Sequence, residues 1–583
     1  MAEEHALDSI LVADCGAVLT KVLLFERVED SYRLVAQAST LTTNNPPWND
    51  LSIGVFHAVE EIEHIVGRQL YGSARIITPY EAMKGVDAFV VTMSAPEPLR
   101  VLLAGLVREM SLESARRAVT GTYAQVIGTI MREGSLVSPE EHWARTVRDL
   151  HPDVVLLVGG VDGGAARPVL ELADAVRLGI SMIDQGQRPE VIYAGNARLA
   201  SRMARLFENV APITVVDNVR PTMEQEHLGP TQEALERIYI ARRFNQSPGA
   251  DRLMEWNNAP VQPTALAFGR LIEYLWHQEQ ALDRGTLGVD LGAASATVAA
   301  TFDKRLFFSI RGGEGLVLGP LQWVEKHGLE TITRWLPEAI PEDEVLAVLH
   351  NRRIYPWTLP QDPHELWIEQ AVVREALRHL MAIARPTWDT GKAQLYPELM
   401  PRLDPIVVSG GGVVTMPRPG HVLLAVLDGL EPVGISRIWL DQNRAAPALG
   451  ALASISPLAA ASALNAGSLV SLGTVISPVG RAHPGETILK IHIAYDDGGV
   501  LDVEARYGDL EIWPLLPGQS ALLDIKPLRR LDIGLGPGRG GKVRVHGGLV
   551  GLVVDARGRP LVLPVNADDR RELVQRWFWD VGG

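Results

Sequence analysis

One cysteine, Cys15, in 583 residues excludes a disulfide framework and a cysteine-rich zinc site. Positive charge is also in short supply. Lys and Arg number 55 against 70 Asp and Glu, a net charge of −15. With no basic stripe to offset that surplus, nucleic acid is excluded as a partner. No apolar run reaches transmembrane length without charges or turn residues, so no membrane partner is expected either. The first residues, Met1-Ala2-Glu3-Glu4-His5, are acidic and lack a secretory pattern, and the expectation is a cytoplasmic protein. What remains is an ordinary globular composition, 46% hydrophobic and 21% charged, long enough for several domains.

The most informative stretch is Leu11 to Phe25. It reads as an apolar strand, an Asp14-Cys15-Gly16 turn and a second apolar strand that carries Thr20 and Lys21. Such a turn gathers backbone N–H groups into a small space that suits phosphate. A strand-end Asp suits a hydrated Mg²⁺. The same order returns at Leu287 to Ala300, with Asp290, Gly292 and Ser295 in the turn region. A third element, Pro405 to Val414, runs a buried-type strand into Gly410-Gly411-Gly412, where backbone could approach a ligand closely. Asp-x-Gly turns are common singly. Two in the same internal order on one chain point to related halves closing on a nucleotide.

Between the hairpins lies a βαβαβ run with strands at 154–158, 191–194 and 213–216, which predicts a parallel sheet. Loops at the carboxyl ends of such strands bind ligands. Here they are Gly159-Gly160-Val161-Asp162-Gly163-Gly164, Gly195-Asn196 and Asp217 to Pro221. Residues 98–150 read as helical, with helix starts at Ser111 and Ser138. The segment from Trp335 to Pro363 reads as an irregular proline-rich insertion, and Glu365 to Ile383 as an amphipathic helix. After about residue 466 short β-type runs alternate with Gly and Pro turns. This predicts a separate all-β domain closed by a helix from Asp568 to Trp579.

The first hairpin, the loops after the parallel strands and the Ser409 to Gly412 segment occur in an order that resembles the MutL accessory proteins of adenosylcobalamin-dependent glutamate mutase. Those belong to the actin, Hsp70 and sugar-kinase superfamily. The resemblance covers roughly residues 8–463 and implies an α/β fold. It has two actin-like, ribonuclease H-like half-domains around a cleft, at 1–284 (with a helical insertion) and 285–465. The C-terminal all-β domain takes 466–583 and lies outside the resemblance. ATP or ADP with Mg²⁺ would bind at Asp14, Gly16, Thr20, Lys21, Asp162, Asp290, Gly292, Ser295, Gly410, Gly411 and Gly412. Asp14 and Asp290 would hold the metal through water.

The implied role is assembly or reactivation of a cobalamin-dependent mutase, with a mutase subunit as partner, possible self-association and at most weak ATPase activity. The chain departs from the family pattern at two hydroxyl positions of the first hairpin, where it has Ala17 and Val18. In the second it has Ala296 and lacks the final Asp. Lost hydroxyls remove phosphate donors but leave the backbone ones. The alternatives are a small-molecule kinase, for which Asp162 is the candidate base, and an actin-like scaffold without nucleotide.

Overall fold

The computed structural model describes residues 7–131, 139–279, 283–388 and 394–582. The chain divides into two compact units. One comprises 1–95, 248–307 and 314–583, and the other comprises 96–247 and 308–313.

The larger unit holds two sheets of one design. Ser9–Cys15 is buried along its whole length and forms the central strand of the first. It pairs antiparallel with Leu19–Val28, which pairs antiparallel with Ser31–Leu41. On its other side it runs parallel to Ala88–Met93, which is followed by Gln262–Pro263. In the second sheet, Gly285–Leu291 pairs antiparallel with Ser295–Phe302 and parallel with Leu403–Ser409, and Gly434–Leu440 follows in parallel. Arg305–Gly312 takes the outer place beside Ser295–Phe302. Numbered within each half, both sheets read third, second, first, fourth, fifth. The apolar face of Leu51–Val66 packs on the first sheet. Its start is capped by Asp50, whose carboxylate accepts from Ser52 N at 2.9 Å.

Small residues matter where the helices of this unit meet. A Cβ on Gly450 would lie 1.7 Å from the Ala267 carbonyl oxygen. The helix Ala446–Leu452 thus rests backbone to backbone on Thr264–Glu279, as its Ala- and Gly-rich sequence suggests. The expected irregular insertion after Trp335 instead contains a helix, Glu342–Ile354, which starts directly after Pro341. Proline there serves as a helix start rather than a breaker.

Three of the strands after residue 468 join the second sheet. Val470–Ser477 pairs antiparallel with Gly434–Leu440 and parallel with Gly551–Asp555, which carries Leu510–Trp513. The second sheet thereby grows to eight strands. The other four C-terminal strands make a separate antiparallel sheet in the order Val500–Arg506, Thr487–Tyr495, Ser520–Pro527, Gly541–His546. Local alternation reveals that a segment is a strand but not whose edge it completes.

The closing helix, Ala567–Asp580, buries Val574, Trp577 and Phe578 in the core of the second half and leaves Trp579 72% exposed. Beside it lies a buried chain of charges. Arg374 donates to Asp428 at 2.8 Å, and Arg557 bridges Asp428 and Asp555 at 2.8 Å each. Arg559 donates to Asp555 at 2.6 Å, and the Arg557 guanidinium lies 4.3 Å from the Trp577 ring centre.

The smaller unit is a wholly parallel five-stranded sheet. Its order is Ile213–Val215, Glu190–Tyr193, Val154–Leu157, Leu99–Gly105, Ala124–Met131. The βαβαβ expectation therefore holds. The helical reading of 98–150 needs correction, because Leu99–Gly105 and Ala124–Met131 are strands. Leu99–Gly105, buried at all but one position, loses the alternation of a half-exposed strand and reads like a buried helix. One expected helix start, Ser138, lies outside the described residues; the helix itself begins at Pro139.

Candidate functional site

The two Asp-x-Gly hairpins are built alike, residue for residue. Gly16 N donates to Leu19 O at 3.1 Å, and Gly292 N donates to Ser295 O at 3.0 Å. A Cβ on Gly16 would lie 2.8 Å from Leu19 O, and one on Gly292 would lie 2.8 Å from Ser295 O, so both turns are tight enough to require glycine. Among the described residues, the amides of Ala17, Val18, Ala293 and Ala294 donate to no protein acceptor. Each turn thus offers two unspent N–H groups to an anion, which fits a phosphate chain.

Strand register decides which side chains share the site. Asp14 lies opposite Lys21 on one neighbour and beside Thr92 on the other. Asp290 lies opposite Thr297 and beside Ser409. Cross-strand partners share a face, so Lys21 and Thr297 are counterparts. Thr20 faces the other way. It is fully buried and donates to Thr42 Oγ1 at 3.0 Å, while that hydroxyl donates to Gly16 O at 2.7 Å. Its work is to brace the turn. Ala296 lies opposite Leu291 in the hydrophobic core. Its apolar character is therefore a packing requirement, and Thr297 supplies the hydroxyl on the Asp290 face.

Three carboxylates converge. Asp14, 4% exposed, accepts from Thr92 Oγ1 at 2.9 Å and Thr264 Oγ1 at 2.8 Å, and pairs with Lys21 Nζ at 2.8 Å. Burial alone would raise its pKa. The Lys21 charge and the hydrogen bonds from Lys21, Thr264 and Thr92 outweigh that and hold it below the usual range. Asp290 loses hydration and feels the charges of Asp14 and Asp441. These push its carboxyl up to about 6 against the pull of Lys21 and Ser409.

Asp441 is the residue that sequence reasoning missed. It is fully buried and accepts from Ser409 Oγ at 2.8 Å, Ala445 N at 2.7 Å and Ala446 N at 2.8 Å. Burial still raises its pKa, with those donors opposing the rise. The available signal was its place directly after a strand and before a helix of small residues, at the carboxyl edge where parallel sheets bind ligands.

Of the glycine triplet, Gly410 is required by packing. It has φ +105°, and a Cβ on it would lie 2.2 Å from Leu291 O. Its neighbour Gly411 faces open space, whereas a Cβ on Gly412 would meet Leu316 at 2.1 Å. Ser295 opens the return strand beside Gly292. Among the described residues no group of three or more His, Cys, Asp or Glu side chains is arranged to hold a metal ion.

Asp162 belongs to the smaller unit. Its carboxylate accepts from Ala197 N at 2.9 Å and from Asn218 Nδ2 at 2.9 Å. Asn196 Oδ1 accepts from Gly163 N at 3.1 Å, and its Nδ2 donates to Gly164 O at 3.2 Å. The three loops singled out in the sequence are thus laced together by side-chain amides. Asp162 serves that lacing.

A duplicated sheet of this order, each copy opening on an Asp-x-Gly hairpin, defines the actin-like ATPase and sugar-kinase class of fold. A model of the family described as MutL protein matches residues 10–467, and the chain belongs to that family. A relative, Protein MutL of Clostridium tetanomorphum, is 21% identical over 483 residues, covering 77% of this chain and 97% of its own. Among solved structures, nucleotide-free acetone carboxylase has a TM-score of 0.38 at 10% identity, covering 86% of this chain and 81% of its own. Xylulose kinase from Bifidobacterium adolescentis has a TM-score of 0.26 at 11% identity, covering 80% and 96%. Likenesses at this level carry no inference about what this chain binds. The family match ends at 467, just before the strands that enlarge the second sheet.

Proposed function

We propose that the chain is a nucleotide-binding accessory protein that assists assembly or reactivation of a cobalamin-dependent mutase. The observation that carries the nucleotide half is the pair of matched hairpins, with the Asp14 charge acting on Asp290 beside Lys21. In this reading the unspent amides at Ala17, Val18, Ala293 and Ala294 hold phosphate oxygens. Lys21 neutralises phosphate charge, and Asp14 and Asp290 orient the waters of a bound Mg²⁺. Gly411 leaves room for the nucleoside against backbone. When bound, the magnesium nucleotide supplies a charged phosphate chain whose position the two hairpins set.

The partner half rests on family membership. A mutase helper needs a nucleotide-dependent change rather than fast turnover. Isothermal titration with ATP and ADP, with and without Mg²⁺, tests the first half. Phosphate release with and without a mutase subunit tests the second. No heat change for either nucleotide at millimolar concentration would overturn the nucleotide reading. Release that ignores the mutase would overturn the helper role.

A further inference from the structure

We propose that Arg444 recognises a phosphoryl group in a polar pocket that it shares with Lys21, an inference that rests on the nucleotide reading above. The pocket has a volume of about 130 Å³, and its polar lining comprises Lys21, Gln37, Ser39, Asn443 and Arg444. Register places Lys21 opposite Ser39 and Leu23 opposite Gln37, so these side chains share one face of the first sheet. The loop after Gly434–Leu440 closes over that face, with Gln37 Nε2 donating to Asn443 Oδ1 at 3.4 Å.

The two cations differ in what they have left to give. Lys21 is committed to Asp14 at 2.8 Å, and it also donates to the Arg444 carbonyl oxygen at 3.4 Å. Arg444 has no ion-pair partner among the described residues, although it is half-buried. Burial holds its pKa below the usual arginine value, with the fields of Asp14, Asp441 and Asp290 opposing that in part. A guanidinium presents a planar fork of N–H donors that matches phosphate oxygens. Here that fork meets no carboxylate.

The backbone is arranged to keep it so. Arg444 takes a left-handed conformation with φ +53°, which a non-glycine residue adopts only when its surroundings impose it. They do. Arg444 N donates to Asp441 O at 3.0 Å, and the next two amides are held by the Asp441 carboxylate. Asp441 therefore acts as a positioning residue that holds Arg444 on the pocket. The shared chemistry is a phosphoryl anion, supplied either by the terminal phosphate of a nucleotide or by free inorganic phosphate.

The test uses the full chain and two variants, Arg444→Asn, which tolerates the left-handed backbone, and Arg444→Lys. Binding of inorganic phosphate, ATP and adenosine is measured by titration calorimetry, and folding by thermal melting. Arg444→Asn should weaken ATP by roughly 10–100-fold, the worth of a charge-assisted contact. Arg444→Lys should restore part of that, and adenosine should be unaffected. A parallel loss for inorganic phosphate identifies free phosphate as a ligand, and loss for ATP alone identifies the nucleotide's terminal phosphate. Should Arg444→Asn melt early, Arg444→Gly gives the same reading without backbone strain. If ATP binds wild type and both uncharged variants equally, the proposal fails and the nucleotide reading stands. If wild type binds inorganic phosphate through Arg444 but no nucleotide, the proposal stands and the nucleotide reading fails. If wild type binds neither, both fall.

Discussion

Lys21 Nζ lies 2.8 Å from Asp14 Oδ2, directly across the first hairpin, with 14% and 5% of the two side chains exposed. The pair gives the first half a neutralised acid where the second has Asp290 facing Thr297. Two hairpins of the same backbone thus carry different charge, and the negative potential of the cluster is concentrated at Asp290 and Asp441.

Removing Lys21 should be costly. Lys21→Met leaves Asp14 buried and unpaired, which typically costs about 3–5 kcal/mol. Urea denaturation should show that loss, and Asp14→Asn in the same chain should recover much of it. A single variant as stable as wild type would show that Thr92 and Thr264 alone satisfy Asp14.

Asp290 should make stability fall with rising pH. Its folded pKa of about 6 lies above the ordinary aspartate value of 3.8. The folded state therefore holds the proton more tightly, and that contribution is complete below about pH 4 and lost as pH rises through 6. At pH 8 Asp290→Asn should stabilise the unliganded protein by on the order of 1–2 kcal/mol, with little effect at pH 4. Any Mg²⁺-dependent part of nucleotide binding should run the opposite way and grow as pH rises through 6. Melting curves of both proteins across this range, with a pH-independent difference as the contrary result, decide the matter.

Intrinsic turnover should be slow. Ala17 and Val18 place apolar groups in the turn where the family pattern has hydroxyls, and the structure finds no replacement beyond the backbone amides. ATP hydrolysis by the isolated protein should fall far below the roughly 1–10³ s⁻¹ typical of enzymes. A phosphate-release assay giving turnover in that range would show that Lys21 and Thr297 suffice.

The C-terminal segment should be inseparable from the second half. Arg557 pairs with Asp428 and Asp555, all three almost wholly buried. Arg557→Met leaves Asp428 with Arg374 alone and Asp555 with Arg559 alone, and should cost about 3–5 kcal/mol. Asp555 is held well below the ordinary carboxylate range because Arg557 and Arg559 outweigh the effect of burial. The stabilisation it brings is present at neutral pH and should disappear as acid protonates it. A chain cut after Ala466 should aggregate, since it also exposes the surface covered by Trp577 and Phe578. A soluble, cooperatively melting truncation would refute this coupling.

Cys15 offers a clean reporter of opening. It is fully buried, and burial together with the charge of Asp14 pushes its thiol pKa far above the usual value. Alkylation should be undetectable in native buffer and complete in denaturant, as mass spectrometry of the only thiol would read directly. Rapid native labelling would mean that the first strand opens locally.

Elements whose chemistry is local are legible in the residues themselves. The Asp14 and Asp290 hairpins, the strand into Gly410, the parallel run from 154 to 216 and the closing helix are where composition and turn residues put them. Each depends on neighbours a few positions away, so short-range pattern suffices. The rest depends on register and on distant pairing. Thr20 turned away from the site and Lys21 toward it because Asp14 lies opposite Lys21, and a one-residue slip would have exchanged them. Asp441 and Arg444 joined the site from a loop some 430 residues beyond the first hairpin, held there by hydrogen bonds that no local periodicity encodes. Three of the strands after 468 extended the second sheet, because an open edge of unpaired backbone groups accepts whichever strand the core brings to it.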